Sequence, residues 1–113
     1  MLRSFYHAAA GILYCFQTER NMKIHGVAAA VVAGLAWRLE LEGRDMLILL
    51  LTVTAVLVAE MFNTAIERVV DLVSPEFHPL AKIAKDVAAG AVLVTAAASL
   101  LVGYVLLLPR LLG

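Results

Sequence analysis

Three acids and an amide follow one another at helical spacing near the middle of the chain, as Glu60, Asn63, Glu67 and Asp71. A helix turns about 100° per residue, so these four side chains lie on one stripe. They come directly after residues 46–59, fourteen residues that carry no charge. A carboxylate inside a bilayer is costly and usually functional. The stripe therefore requires protons, a basic partner or a cation to neutralise it.

Further polar residues could complete a site for phosphoryl transfer. Carboxylates together with substrate phosphates are the ligands that Mg²⁺ prefers, and lysine suits phosphate as a point charge. Glu60 lies two turns inside Glu67, about 10 Å deeper, and could accept a proton there. Metal, cation and base are what phosphoryl transfer needs, and the depth of the base favours a lipid hydroxyl as acceptor. The additional candidates are Glu19, Glu76, His78, Lys82, Lys85 and Asp86.

Several of these residues also have simpler explanations. An acid and a lysine at i,i+4 spacing are typical of a surface ion pair worth a few tenths of a kcal/mol. Glu67 and Asp71 could be solvated at a helix end, whereas Glu60 follows a long apolar run. Neither glycine-rich phosphate-binding motif occurs, so a nucleotide site of a familiar soluble type is excluded. The i,i+4 pairs are Glu19–Lys23 and Lys82–Asp86, and we expect His7, His25 and His78 taken singly to be structural.

The composition predicts a membrane protein with a single domain, residues 1–113. Apolar residues make up 63 % of the 113 residues, charged residues 16 %, and the mean hydropathy is +0.92. Such values are typical of membrane chains. The net charge of zero gives no signal for nucleic-acid binding. The single cysteine, Cys15, excludes an internal disulfide.

The hydropathy pattern predicts an all-α integral membrane fold. Residues 2–18 form an amphipathic pattern that favours a helix lying on the membrane surface. Three apolar segments then predict transmembrane helices at about 22–38, 46–70 and 80–108. Pro75 and Pro79 separate the last two, because proline ends one helix and suits the first turn of the next. The N-terminus does not have the pattern of a cleaved signal peptide.

Basic residues predict the orientation of these helices. Six of the nine fall on the side of the N-terminus and the second loop, which places both in the cytoplasm and puts the acids at the cytoplasmic face. Small residues at four-residue spacing permit close helix contacts. Three thin helices can hardly enclose a site, so we expect a homo-oligomer. The small residues are Gly26, Ala30 and Gly34, then Ala91, Thr95, Ser99 and Gly103.

Several stretches together resemble the small prokaryotic diacylglycerol kinase family. They are TERNMKIH at 18–25, EMFNTAIERVVD at 60–71 and PEFHPLAKIAKDVAAGAVL at 75–93. With the layout of three spans, the resemblance covers nearly the whole chain. Members of this family are integral-membrane lipid kinases unrelated in fold to soluble kinases. The form HPLAKIAKDVAAGAV resembles the Gram-positive branch, whose members are chiefly undecaprenol kinases.

The resemblance implies a homotrimeric helical bundle with active sites shared between subunits, and it implies roles for particular residues. Glu60 would be the general base, and Glu19 and Glu67 would hold Mg²⁺ on ATP. The Gram-negative branch carries an arginine that faces the site, but Arg3 stands too close to Glu19 to correspond to it. Nucleotide-binding positions implied in addition to Glu19 and Glu67 are His7, Glu76, Phe77, His78, Lys85 and Asp86, with Asn63 and Asp71 in support.

The sequence thus predicts an ATP-dependent kinase of undecaprenol, or alternatively of diacylglycerol, in the bacterial cytoplasmic membrane. A small oligomeric cation channel or transporter is the competing class. A channel predicts acids continuing through the membrane, and residues 24–37, 46–59 and 87–108 contain none. A scaffold without activity leaves Glu60 unexplained.

Overall fold

The computed structural model describes residues 1–113 and contains four α-helices. They are α1 (Leu2–Thr18), α2 (Arg20–Arg38), α3 (Gly43–Val73) and α4 (Pro79–Leu112). The prediction of an all-helical chain is confirmed. The longest helices, α3 and α4, pack against each other along much of their length, and α2 packs on α3. The helix α1 contacts both α2 and α3, and the molecule measures 54 × 37 × 21 Å.

One residue, Glu19, separates α1 from α2. Its backbone is extended, with φ −103° and ψ 118°, so the chain changes direction there. Glu19 ends one helix and begins the next, and its carboxylate caps neither. Nearby, Phe16 of α1 packs over Gly26 of α2 so closely that an added Cβ would lie 2.6 Å from the ring. This contact holds α2 close to α1 at Gly26. Because the Glu19 carboxylate caps neither helix, it is available for other partners.

The turn between α2 and α3 is a Schellman motif built on a residue other than glycine. Leu41 N–H donates to the Ala36 carbonyl and Glu40 N–H to the Trp37 carbonyl, both at 3.2 Å. Such a motif needs one left-handed residue, and Glu40 takes that place with φ 55°. Leu41 and Ala36 also join the buried apolar cluster with Leu49 and Leu107. The core of the single chain therefore lies at the membrane face opposite the acids.

The loop between α3 and α4 is short and well terminated. α3 ends at Val73 and α4 begins with proline at Pro79. His78 caps α4, because its Nδ1 accepts a hydrogen bond of 3.1 Å from Leu80 N–H. The break occurs in the segment between Pro75 and Pro79, where the sequence predicts it.

Two helices, α3 and α4, are long and apolar enough to cross a membrane. They have 31 and 34 residues, and about 20 suffice for a span. The helix α2 is not among them, since Arg20, Lys23 and His25 interrupt its first two turns. Only 10 of the 113 residues are buried within the chain, and many large apolar side chains are exposed. Lipid or other subunits must cover that surface, which supports a location in the membrane.

Candidate active site

The acidic stripe lies on α3 as one continuous face. Glu60 is almost completely buried, at 2 % exposure. One turn on, the Thr64 hydroxyl donates to the Glu60 backbone carbonyl at 3.0 Å. The Asn63 amide nitrogen donates to Glu67 Oε1 at 3.1 Å, while its own Oδ1 is buried without a partner. Along the stripe, Asn63 and Glu67 are therefore joined by an i,i+4 side-chain contact, and Glu60 lies at the buried end.

His25 of α2 faces the buried end of the stripe. Its Nε2 lies 3.2 Å from Glu60 Oε1. Although the two atoms are this close, the contact does not have the geometry of a hydrogen bond, and Oε1 is a buried oxygen without a hydrogen-bond partner. We expected His25 to be a structural residue in an apolar segment. The structure gives it a specific neighbour, the carboxylate that the sequence identifies as the candidate base.

Arg68 connects α3 to α1 and to the junction between α1 and α2 at the outer part of the stripe. Its Nε donates to the Tyr14 hydroxyl at 2.7 Å, and its guanidinium lies 5.6 Å from the centre of the Tyr14 ring. Another nitrogen of the same group donates to Glu19 Oε1, and a third lies 3.9 Å from Glu67 Oε2. The alternative pair of Glu19 with Lys23 is not formed. The i,i+4 spacing left that pair open as an alternative, and the Glu19 carboxylate pairs with Arg68 of α3 instead.

The environment of Arg68 tests whether Glu19 and Glu67 suit a divalent cation. The two carboxylates are 48 positions apart in the chain, yet both reach one guanidinium. No group of three or more histidine, cysteine or acidic side chains is clustered for a metal. Two carboxylates completed by phosphate oxygens and water are the environment that Mg²⁺ prefers. The donor set therefore fits Mg²⁺ that arrives with a phosphate-bearing ligand.

A second polar pocket lies beside the α3–α4 loop. It has a volume of about 390 Å³. Lys85 Nζ lies 2.5 Å from Asp71 Oδ1, and Lys82 Nζ lies 2.6 Å from Asp86 Oδ2. The pocket thus contains two ion pairs between acids and lysines. Its lining includes six of the residues that the sequence identifies for nucleotide binding or support: Asp71, Glu76, Phe77, His78, Lys85 and Asp86.

The two polar regions are arranged along α3. Eleven residues separate Glu60 from Asp71, about 16 Å along the helix, with Glu67 between them. An elongated ligand on this face could reach from the loop pocket towards Glu60. His7 is not brought to this face in the single chain. It packs edge-on against Tyr6, and about 18 Å of α1 separate it from Glu19.

An apolar groove runs between α2, α3 and α4 on the membrane side of His25. Its volume is about 420 Å³, and twelve of its sixteen lining residues are hydrophobic. The far end is formed by Leu108 and Leu111 of α4, and His25 belongs to the lining at the near end. The lining of the groove contains no aspartate, glutamate, lysine or arginine. Hydrocarbon is the chemistry that such a surface accepts.

Tyr14, His25 and Arg68 belong to the site but were not identified from the sequence. His25 did carry a signal, because it is the only titratable residue in the apolar segment 24–37. Arg68 is the only basic residue within the acidic stretch 60–71. No signal marked Tyr14, which has an ordinary position on an amphipathic helix. Basic partners from the same chain lie close to Glu19, Glu60, Asp71 and Asp86.

Comparison with known proteins adds to this geometry. A family model described as prokaryotic diacylglycerol kinase matches residues 6–107. A diacylglycerol kinase from Synechocystis is 50 % identical over the whole chain, which spans 65 % of that relative's length. An undecaprenol kinase from Bacillus subtilis is 43 % identical over 96 % of the chain and 89 % of its own length. A diacylglycerol kinase from Escherichia coli is 30 % identical over 86 % of the chain and 80 % of its own length.

These matches extend over α1 to α4, and the matched residues include the acidic stripe of α3 and the loop pocket. The resemblance that the motifs indicate is therefore confirmed by similarity along the chain. The matched relatives are named as kinases of two lipid alcohols, diacylglycerol and undecaprenol. On this basis, the chain belongs to the prokaryotic diacylglycerol kinase family.

Proposed function

We propose that this protein is an ATP-dependent lipid kinase that phosphorylates a membrane alcohol at the cytoplasmic face. The observation that carries the proposal is the position of Glu60. This buried carboxylate lies beside His25, which lines the near end of the apolar groove, and it is on the same helix as the outer acids. A hydrocarbon chain in the groove would bring its terminal hydroxyl to Glu60.

The proposed step transfers the γ-phosphoryl group of ATP to that hydroxyl. The hydroxyl oxygen forms a bond to the γ-phosphorus as its proton passes to a Glu60 carboxylate oxygen. The bond to the β-phosphate oxygen breaks and ADP leaves. General-base help of this kind contributes about 10²–10⁴ in rate. Groove and carboxylate together would supply position and proton acceptance, which is most of what a protein does in phosphoryl transfer.

Glu19 and Glu67 would hold Mg²⁺ with the phosphates of ATP. Bound Mg²⁺ neutralises charge that develops on phosphate oxygens. Before ATP arrives, Arg68 is the cation between these two acids. Its guanidinium has the forked geometry that suits phosphate. Mg²⁺ with ATP would add to the charge compensation that the single guanidinium of Arg68 gives these two carboxylates.

The loop pocket would bind the remainder of the nucleotide. Lys85 and Lys82 supply positive charge there, and Phe77 supplies an exposed aromatic face. Asp71 holds Lys85 in place through the 2.5 Å contact. Asn63 and Asp71 would thus support the site, as the family resemblance implies. His7 would complete a nucleotide site only if it came from another subunit, because in its own chain it lies far from Glu19.

Undecaprenol is the proposed acceptor, with diacylglycerol as the alternative. The relative named undecaprenol kinase is similar to this chain over nearly the full length of both proteins. Twelve of the sixteen residues that line the groove are hydrophobic, which suits an isoprenoid hydrocarbon chain. The relative from Synechocystis, named diacylglycerol kinase, favours the alternative.

We also propose a homotrimer with three spans per subunit, a cytoplasmic N-terminus and shared active sites. A Cβ added to Gly34 meets nothing within 4 Å in the single chain. This position of the first small-residue ladder is therefore open for close approach of another helix. The exposed apolar surface of the chain supports the same proposal.

The deciding experiment compares acceptors. Purified protein in mixed micelles receives Mg-ATP and either undecaprenol or diacylglycerol, and kcat/KM is measured for each lipid phosphate formed. A higher kcat/KM for undecaprenol supports the proposal, and the reverse order selects diacylglycerol. If neither alcohol is phosphorylated while reconstituted vesicles conduct cations, the channel class replaces the kinase.

A further inference from the structure

The contact between His25 and Glu60 connects α2 to α3 at membrane depth. His25 is the only basic side chain within 4.0 Å of the Glu60 carboxylate. The neighbouring polar side chains of α3 do not donate hydrogen bonds to that carboxylate. The Thr64 hydroxyl donates to the backbone carbonyl of Glu60, and the Asn63 amide donates to Glu67. His25 is therefore the side chain placed to orient the Glu60 carboxylate.

The two oxygens of Glu60 differ in their surroundings. Oε1 is fully buried, lies 3.2 Å from His25 Nε2 and has no hydrogen-bond partner. A small rotation of the imidazole would turn this contact into a hydrogen bond, since the distance is already suitable. With Oε1 held in that way, the other oxygen is the one left to face an incoming hydroxyl. An unpartnered buried carboxylate oxygen is costly, so the structure has reason to keep a donor there.

His25 also belongs to the lining of the apolar groove. The His25 side chain is partly buried, with 25 % of its surface exposed, whereas only 2 % of the Glu60 side chain is exposed. A chain that lies along Leu100 and Leu107 of α4 would therefore meet the imidazole edge before it meets the carboxylate. One residue thus contacts both the candidate base and the end of the groove.

We propose that His25 is a positioning residue for this reaction. Its Nε2–H donates to Glu60 Oε1 and fixes the carboxylate so that the other oxygen faces the lipid hydroxyl at the end of the groove. This inference rests on the proposed role of Glu60 as base. A misplacement of about 1 Å of a catalytic group can cost about 100-fold in rate, so the loss of His25 reduces turnover rather than nucleotide binding.

Two amides of different length provide the test. Glutamine at position 25 places its amide nitrogen near the position of histidine Nε2, and asparagine places it near Nδ1. Because both are polar and neutral, they differ mainly in the reach of the donor. We expect His25→Gln to keep kcat within a few-fold of the wild type. We expect His25→Asn to lower kcat by about 100-fold, with KM for Mg-ATP unchanged.

The control variant is Arg38→Gln, at the opposite end of α2, which should keep the activity of the wild type. Equal activity of His25→Gln and His25→Asn would overturn the inference, as would a change confined to KM for the lipid. A second measurement separates positioning from packing. In a Glu60→Gln background, His25→Asn should cause no further loss of kcat, whereas a packing role would reduce it again.

The failure of this inference can be distinguished from failure of the proposed function. If the wild type phosphorylates no lipid alcohol, the kinase proposal and the role of His25 both fall. If the wild type is active and the two amide variants are equal, only the role of His25 is refuted.

Discussion

Replacement of Glu60 by glutamine is the perturbation that most directly addresses the proposed base. The two side chains have nearly the same size, so the buried space beside Thr64 stays filled. Glutamine keeps a carbonyl oxygen that can take the place of Glu60 Oε1 beside His25 Nε2. Removal of a buried charge beside His25 should change stability little, because the lost attraction is offset by the smaller desolvation cost. Folding is thus expected to survive.

The effect on turnover should be large. General-base help contributes about 10²–10⁴ in rate. At about 1.4 kcal/mol per tenfold change, this corresponds to roughly 3–5 kcal/mol in the barrier. Glu60 lies about two turns from Glu67, about 10 Å along α3, so the substitution does not touch the metal and nucleotide residues. We therefore expect a fall in kcat of at least about 100-fold with Mg-ATP affinity unchanged.

The assay measures lipid phosphate formation in mixed micelles and, in parallel, the binding of Mg-ATP by calorimetry. Glu42→Gln is the matched control, because it makes the same chemical change at an exposed residue at the start of α3. A Glu60→Gln variant that retains more than a tenth of the wild-type kcat would refute the assignment of the base. A loss of Mg-ATP binding would instead place Glu60 in the nucleotide site.

Three other outcomes follow from the structure. Glu19→Gln and Glu67→Gln should each raise the Mg²⁺ concentration needed for half-maximal ATP binding by about tenfold or more. An unchanged Mg²⁺ titration in both variants would mean that these acids are only solvated surface residues. If sites are shared, inactive Glu60→Gln and Lys85→Ala subunits mixed in equal amounts should regain activity in about a quarter of sites. No recovery after verified subunit exchange would mean that both residues come from one chain, or that the protein is not a shared-site oligomer, and native mass spectrometry separates these cases. Glu40→Gly should raise the unfolding temperature in detergent, because it removes about 1 kcal/mol of left-handed strain, whereas a lower temperature would contradict the Schellman turn.

The helices were predictable because their signals are local. Apolar runs and the prolines at 75 and 79 indicate α3 and α4, and the spacing of Glu60, Asn63 and Glu67 places them on one stripe whatever the tertiary fold. The residues of the loop pocket could also be predicted from the sequence, because Asp71 and Lys85 are only 14 positions apart across a short loop. A motif close in sequence remains close in space when the connection is tight.

The contacts between distant helices were not predictable in this way. Tyr14 and Arg68 are 54 positions apart, and Glu19 and Arg68 are 49. Whether they meet depends on how α1 crosses α3, and periodicity gives each helix a face without giving the crossing. His25 and Glu60 could be identified as unusual residues, but their pairing requires the packing of α2 on α3.

The central claim is that the γ-phosphoryl group of ATP passes to a lipid hydroxyl at Glu60. The most direct measurement follows ATP radiolabelled at the γ-phosphate, or separately at the α-phosphate, into the lipid extract of micelles that contain wild-type protein or Glu60→Gln. We predict that label from the γ-position enters the lipid fraction only with wild-type protein and only when an alcohol is supplied, and that label from the α-position never does. Release of labelled inorganic phosphate without labelled lipid, or equal lipid labelling by Glu60→Gln, would contradict the account.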